Sequence, residues 1–217
     1  MKRLVGLLAV SAVLVSGCGI DIAKLVGSGV AATEARTVPD YHAVSLVGGM
    51  TVNLKVGADP SCEITADDNL LPVISTAVED GVLKVSPEQP IAPKTRIFVT
   101  LVAPALDSVE IAGAVDLSVS GVNSARFSLD VAGSAEVTLA GQTERLLLDG
   151  AGSLEVDALG LEARDVTVDV AGSATVAVHA TKTLDVDIAG SGRVTYLGEP
   201  EVSQDVSGSG SVRRHGG

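Results

Sequence analysis

The chain has 217 residues, 46% of them hydrophobic but only 2% aromatic, with no Trp, two Phe and two Tyr, and a formal net charge of −12. Such a charge makes nucleic acid and anionic lipid headgroups poor partners. A core so short of rings must be built from small aliphatic side chains, which excludes the aromatic packing of a wide globular interior.

Lys2 and Arg3 precede an apolar run from Leu4 to Val15, followed by Val15-Ser16-Gly17-Cys18. The run is shorter than the roughly 20 residues of a membrane-spanning helix and fits the core of a signal peptide better than a buried helix with an incidental cysteine. The small residues before the cysteine resemble the bacterial lipobox. That resemblance implies that residues 1–17 are removed and that Cys18 is the lipid-attachment site, diacylated at the mature N-terminus. Loss of residues 1–17, which hold Lys2, Arg3 and no acid, takes the net charge from −12 to −14. Gly19, where an inner-membrane retention signal would carry Asp, implies an outer-membrane destination in a cell with two membranes. Residues 18–37 show no clean period and are expected to form a flexible tether, with Ile20, Ile22, Leu25 and Val26 close to the lipid.

The folded domain is expected over residues 38–217. Val44 and Leu46 before Gly48, then Val52, Leu54 and Val56, alternate with polar residues at the period of a strand with one buried face. Between Asp59 and Pro104 the regularity lapses. Asp80-Gly81, between Ser75–Glu79 and Val82–Ser86, is a hairpin signal, and Ile97, Val99 and Leu101 mark a further strand. This part is expected to be irregular and to cover the N-terminal end. Cys62 has no thiol partner once Cys18 is acylated and is read as a small buried hydrophobe.

From Gly113 onward the chain repeats. Gly113, Gly133, Gly152, Gly172, Gly190 and Gly208 recur at spacings of 20, 19, 20, 18 and 18 residues. Alternating apolar residues flank each glycine, such as Val166, Val168 and Val170 before Gly172 and Val176 and Val178 after it. A second glycine lies eight residues on in most copies (Gly121, Gly141, Gly160, Gly198, Gly216), so both corners can take positive φ. One such strand pair cannot bury its own face, whereas copies stacked in phase can. The fold class predicted is an all-β, right-handed parallel β-helix of about 18–20 residues per coil, with a meander or sandwich as the alternative. At the far end Arg214 falls in the inward slot held earlier by Val178 and Tyr196. With Arg213 and His215 it reads as a cap against end-to-end strand pairing.

Three residues before each glycine stands an acid: Glu110, Asp130, Asp149, Asp169, Asp187 and Asp205. Stacked, they form an outward ladder with three possible roles. They can accept hydrogen bonds at their own corners, stand solvated and discourage aggregation, or form a file of weak Ca²⁺ sites.

Catalytic machinery is not legible. His42, His179 and His215 are far apart and begin no metal-ligand spacing, so neither a metal nor a cofactor is expected. Ser134, Ser153, Ser173, Ser191 and Ser209 each follow a corner glycine, and repetition at a turn reads as geometry and not as an activated nucleophile. The enzyme alternative, a polysaccharide lyase or hydrolase, lacks the basic residues and aromatic platforms that gather around a sugar.

The run Ile188-Ala189-Gly190-Ser191-Gly192-Arg193-Val194-Thr195-Tyr196-Leu197-Gly198-Glu199-Pro200, the earlier Ala-Gly-Ser copies and Asp80-Gly81-Val82-Leu83-Lys84-Val85 together resemble the head GIN domain family, which carries the label autotransporter adhesin. The resemblance covers Val38 to the C-terminus. It implies a β-helical fold, export by signal peptide or lipoprotein anchor, and a non-catalytic structural or binding role. Expected partners are the membrane, through the lipid, and an envelope or surface protein or glycan, with no nucleic acid.

Overall fold

The computed structural model describes residues 24–216, so residues 1–17, read from the sequence as a signal peptide, and Cys18 lie outside the described part. Ten strands follow in chain order: β1 (Leu25–Val26), β2 (Ala31–Arg36), β3 (Ala43–Val56), β4 (Ser61–Asp67), β5 (Ile74–Glu79), β6 (Val82–Pro87), β7 (Ile91–Ala92), β8 (Phe98–Ala103), β9 (Ser108–Leu197) and β10 (Glu201–Arg214). A single 3-10 turn, Leu71–Val73, precedes β5.

The long run β9 folds back on itself at every corner glycine, and one contact sets the register. A Cβ on Gly133 would lie 2.3 Å from the carbonyl oxygen of Gly113, and one on Gly172 would lie 2.3 Å from that of Gly152. These glycines have φ between 129° and 137° from Gly133 to Gly208, a region that L side chains avoid. Both the close approach and the backbone angle therefore demand glycine. The stack continues at each end. β3 runs parallel to the start of β9 with Gly48 opposite Gly113, and β10 runs parallel to its last coil with Gly208 opposite Gly190. The corner of β3 is thus the first of the series.

A parallel right-handed β-helix is nevertheless not the fold. The chain is all-β with a mixed sheet. β2 pairs with β4, β4 with β8 and β5 with β6, all antiparallel, and each pair belongs to the same sheet as the parallel β3–β9–β10 ladder. The cause lies in the residues between Asp59 and Pro104. No corner glycine in this stretch returns the chain to the same side, so successive strands reverse instead. The Asp80-Gly81 hairpin forms as expected, with φ of 51° and 78°. Its strand β6 and the later β8 lie one after the other along β3, on Ala43–Leu46 and Thr51–Val56, and close its outer edge.

Residues 25–36, read from the sequence as tether, also carry structure. β1 pairs with β7, placing Leu25 opposite Ile91, and β2 is the outermost strand of the eight-stranded sheet. Arg36 holds β2 in place by donating hydrogen bonds to the carbonyls of Ile74 and of Leu71 (2.8 Å).

One aliphatic core runs through the coils. Val156, Val176 and Val194 form one of its columns, each no more than 2% exposed, and Phe127 is fully buried. A buried side chain of this size contributes about 1.5–3 kcal/mol relative to exposure. In β10 two of the columns turn polar, while Val202, Val206 and Val212 continue others. Gln204 stands opposite Val186, and Arg214 stands opposite Tyr196. Arg214 thus keeps the column position of Tyr196 but is not buried there. It is exposed and pairs with Glu199 at 3.0 Å. Among the described residues no coil covers β10, and its slots are open to water, where polar side chains belong.

A groove along the glycine corners

The residue after each corner glycine points out, the next points in, and the third points out again. Stacking turns these three positions into two walls and a floor. One wall is Ala114, Ser134, Ser153, Ser173 and Ser191; the floor is Val115, Ala135, Leu154 and Ala174; the other wall is Asp116, Glu136, Glu155 and Thr175. Small residues at the corner leave the space open, with a volume of about 860 Å³. A contiguous stretch shares Ala174, Thr175 and Ser191 and continues past Arg193 to Ser209 and Ser211. Six coil steps at about 4.8 Å make the whole groove roughly 29 Å long.

At its head the groove is closed by the segment from Pro93 to Ile97. Asp67 fixes that segment. Its buried carboxylate accepts hydrogen bonds from the backbone N–H groups of Lys94 (2.8 Å) and Thr95 (3.2 Å) through one oxygen and of Gly29 (2.7 Å) through the other. Burial alone would raise the Asp67 carboxyl, but these hydrogen bonds outweigh it and hold the group below the usual carboxylate range. Arg96 in the same segment reaches Asp116 at 3.3 Å.

Charge is graded along the acidic wall, from Asp116, Glu136 and Glu155 through the neutral Thr175 to Arg193. Among the described residues, the hydroxyls of Ser134, Ser153, Ser173 and Ser191 and the carboxylates of Glu136 and Glu155 make no side-chain hydrogen bond within the protein, which leaves them free for a ligand. Glu136 and Glu155 stand on one wall, one coil apart.

Of the residues singled out from the sequence, the serines are the ones that meet in this groove. Reading them as turn geometry was correct for the backbone and missed the surface they make. The acidic ladder lies elsewhere, with Glu110, Asp130, Asp149, Asp169, Asp187 and Asp205 all exposed and Asp205 opposite Asp187. None of the six accepts a side-chain hydrogen bond among the described residues. No group of three or more His, Cys, Asp or Glu there could hold a metal ion. Of the three possible roles, solvation fits. The histidines stay apart: His42 faces Asp107 at 3.6 Å, His179 lies beside the Gly198 corner, and His215 is exposed at the far end. Cys62 is a buried free thiol. Burial pushes it up to about 11, against a lowering by Arg36, which makes it a poor nucleophile.

Residues 40–200 match the profile of a protein family described as "Putative auto-transporter adhesin, head GIN domain". No curated protein matches the chain. Among solved structures it is similar to a "putative adhesin" of Bacteroides fragilis, with 18% identity and a TM-score of 0.67 over 88% of this chain and 100% of that one. It is also similar to a "putative lipid binding protein" of Parabacteroides distasonis, with 23% identity and a TM-score of 0.60 over 89% and 100%. A "putative adhesin" of the same organism is 20% identical, with a TM-score of 0.56 over 89% and 100%. At these identities the likeness is one of fold.

Proposed function

Because the chain belongs to the head GIN domain family, we propose that it is a lipid-anchored protein of the bacterial cell envelope, probing its surroundings through the glycine-corner groove and carrying out no catalysis. The observation that carries this reading is the groove itself: a channel of about 860 Å³ whose walls include the serine hydroxyls and the Glu136 and Glu155 carboxylates, which have no side-chain partner among the described residues. Repeating polar groups one coil apart suit an extended ligand that offers hydroxyl or amide groups at short intervals, such as a glycan or an extended peptide of the envelope. A glycan is favoured over a strand-like peptide because the walls present side-chain oxygens and no unpaired strand edge.

The anchor is Cys18, behind Lys2, Arg3 and the apolar run to Val15, and Gly19 directs the protein to the outer membrane. Cys18→Ser should leave an unprocessed precursor or release the domain in soluble form, and mass spectrometry of the wild-type protein should find a diacylated N-terminal cysteine. A processed wild-type chain with an unmodified N-terminus would remove the anchor from the account.

A further inference from the structure

We infer that the cap formed by β1, β2, β4, β7 and β8 is the surface that lies against the lipid bilayer, so that the stacked coils and their groove point away from it. The inference rests on the anchoring reading, and three observations on the cap itself support it.

The first is reach. The sequence alone suggests a tether up to residue 37, but pairing of Leu25 with Ile91 fixes the chain to the domain at β1. Cys18 and Leu25 are then separated by seven peptide steps, on the order of 25 Å at full extension. The groove's far end stands a further roughly 29 Å along the stack. A lipid at Cys18 therefore brings the cap to the membrane before any other part.

Apolar exposure is the second. Val30 (59%), Val26 (55%) and Phe98 (44%) are the most exposed large hydrophobic side chains among the described residues, and all three belong to the cap. Phe98 stands opposite Thr65, and Thr65 opposite Thr33, on the lateral outer face that continues through Thr51 into the coils, so the apolar exposure nearest the chain's entry is that of Val26 and Val30. The Thr33 and Thr65 hydroxyls meet at 2.8 Å on that face. Val26 and Val30 flank the Gly27–Gly29 turn, which packs on Asp67 and Lys94. About half of each side chain is open to water among the described residues, and its removal from water at a lipid interface is favourable.

The third observation is where the charge lies. Residues 24–100 hold six Lys and Arg against nine Asp and Glu, whereas residues 101–216 hold seven against seventeen. The acidity that makes the whole chain a poor match for lipid headgroups is concentrated in the coils. Lys24 and Lys94 are exposed on the cap beside the apolar side chains. A bilayer with any anionic lipid repels the coils and tolerates the cap.

The absence of Trp from the sequence gives a clean probe. The chain beginning at Cys18 is coupled through that residue to a maleimide lipid, the buried Cys62 being unreactive. It is then placed in vesicles of phosphatidylethanolamine and phosphatidylglycerol, part of the lipid carrying brominated acyl chains. The indole introduced by Val30→Trp should shift to shorter emission wavelength and be quenched several-fold more than that introduced by Leu197→Trp in the last coil of β9. Equal quenching of the two, or stronger quenching of Leu197→Trp, overturns the orientation. Mass spectrometry of the protein from cell membranes separates the two readings. An unmodified Cys18 there overturns the anchor and with it the orientation in the cell, whereas equal quenching with a lipidated Cys18 overturns the orientation alone.

Discussion

Asp67 keeps a charge where no water reaches it because three backbone N–H groups point at its oxygens. In holding them it joins the turn at Gly29 to the segment that closes the head of the groove. Its carboxyl is depressed in the folded protein, so it stabilises the fold fully above its unfolded value of about 3.9, and that stabilisation is lost as the pH falls through the lower, folded value. Asp67→Asn places an amide N–H group among donors and should lower the melting temperature by several degrees at neutral pH. As the pH falls below about 4 and through the lower, folded value, the wild type loses this stabilisation, so the gap between the two proteins should narrow. Melting curves taken from pH 7 down to acid that keep a constant gap would show that the charge does not hold the junction. Nothing at this scale was visible in the sequence, where Asp67-Asp68-Asn69 is an ordinary polar turn. The partners that bury Asp67 lie 27 and 38 residues away.

Within a coil, the two inward positions that flank the corner glycine share one space. Most coils place Val or Ile before the glycine and Ala or Gly after it: Val131 with Ala135, Val170 with Ala174, Ile188 with Gly192. One coil reverses the order, with Gly150 before and Leu154 after. A Cβ on Gly150 would lie 2.7 Å from Cδ2 of Leu154, so the leucine fills the space that the glycine leaves. Gly150→Val alone should overpack the corner at a cost of about 1–3 kcal/mol, and Leu154→Ala alone should leave a cavity costing about 2–5 kcal/mol. The double variant restores the neighbouring pattern and should recover most of both losses. Additive losses in denaturant unfolding would show that the two residues do not share the space.

The same comparison explains what could be read from the sequence at the level of elements. The period was legible because each corner glycine answers to a carbonyl of the coil before it, and the Asp80-Gly81 hairpin was legible because its turn is local. The antiparallel strands were not. The alternation of Cys62 with Ile64 tells which side faces the core and is silent on the direction of the neighbouring strand. Ala31–Arg36 has no apolar alternation, and it becomes a strand through Arg36 and its pairing with β4. The groove was hidden for a similar reason, since its two walls are separated by a buried residue in the sequence and converge only once coils stack.

At the scale of the molecule, the two ends of the described stack differ. Antiparallel strands close the first, while at the second Gln204 and Arg214 of β10 stand at column positions that earlier coils fill with Val186 and Tyr196. Between them a groove runs with a negative head and Arg193 toward its foot. On the proposed anchoring, this layout displays a binding channel to the envelope and needs no moving part to do so. The most direct measurement is equilibrium binding of the protein to isolated cell envelopes from the producing bacterium, compared with Ser153→Tyr/Ser173→Tyr. The double substitution fills the middle of the groove from exposed positions and leaves the core untouched. The account predicts saturable binding by the wild type and at least a tenfold loss in the variant, a change of about 1.4 kcal/mol or more, with the melting temperature unchanged. Saturable binding that is equally strong in both proteins would place recognition outside the groove, and no saturable binding by the wild type would contradict the binding role itself.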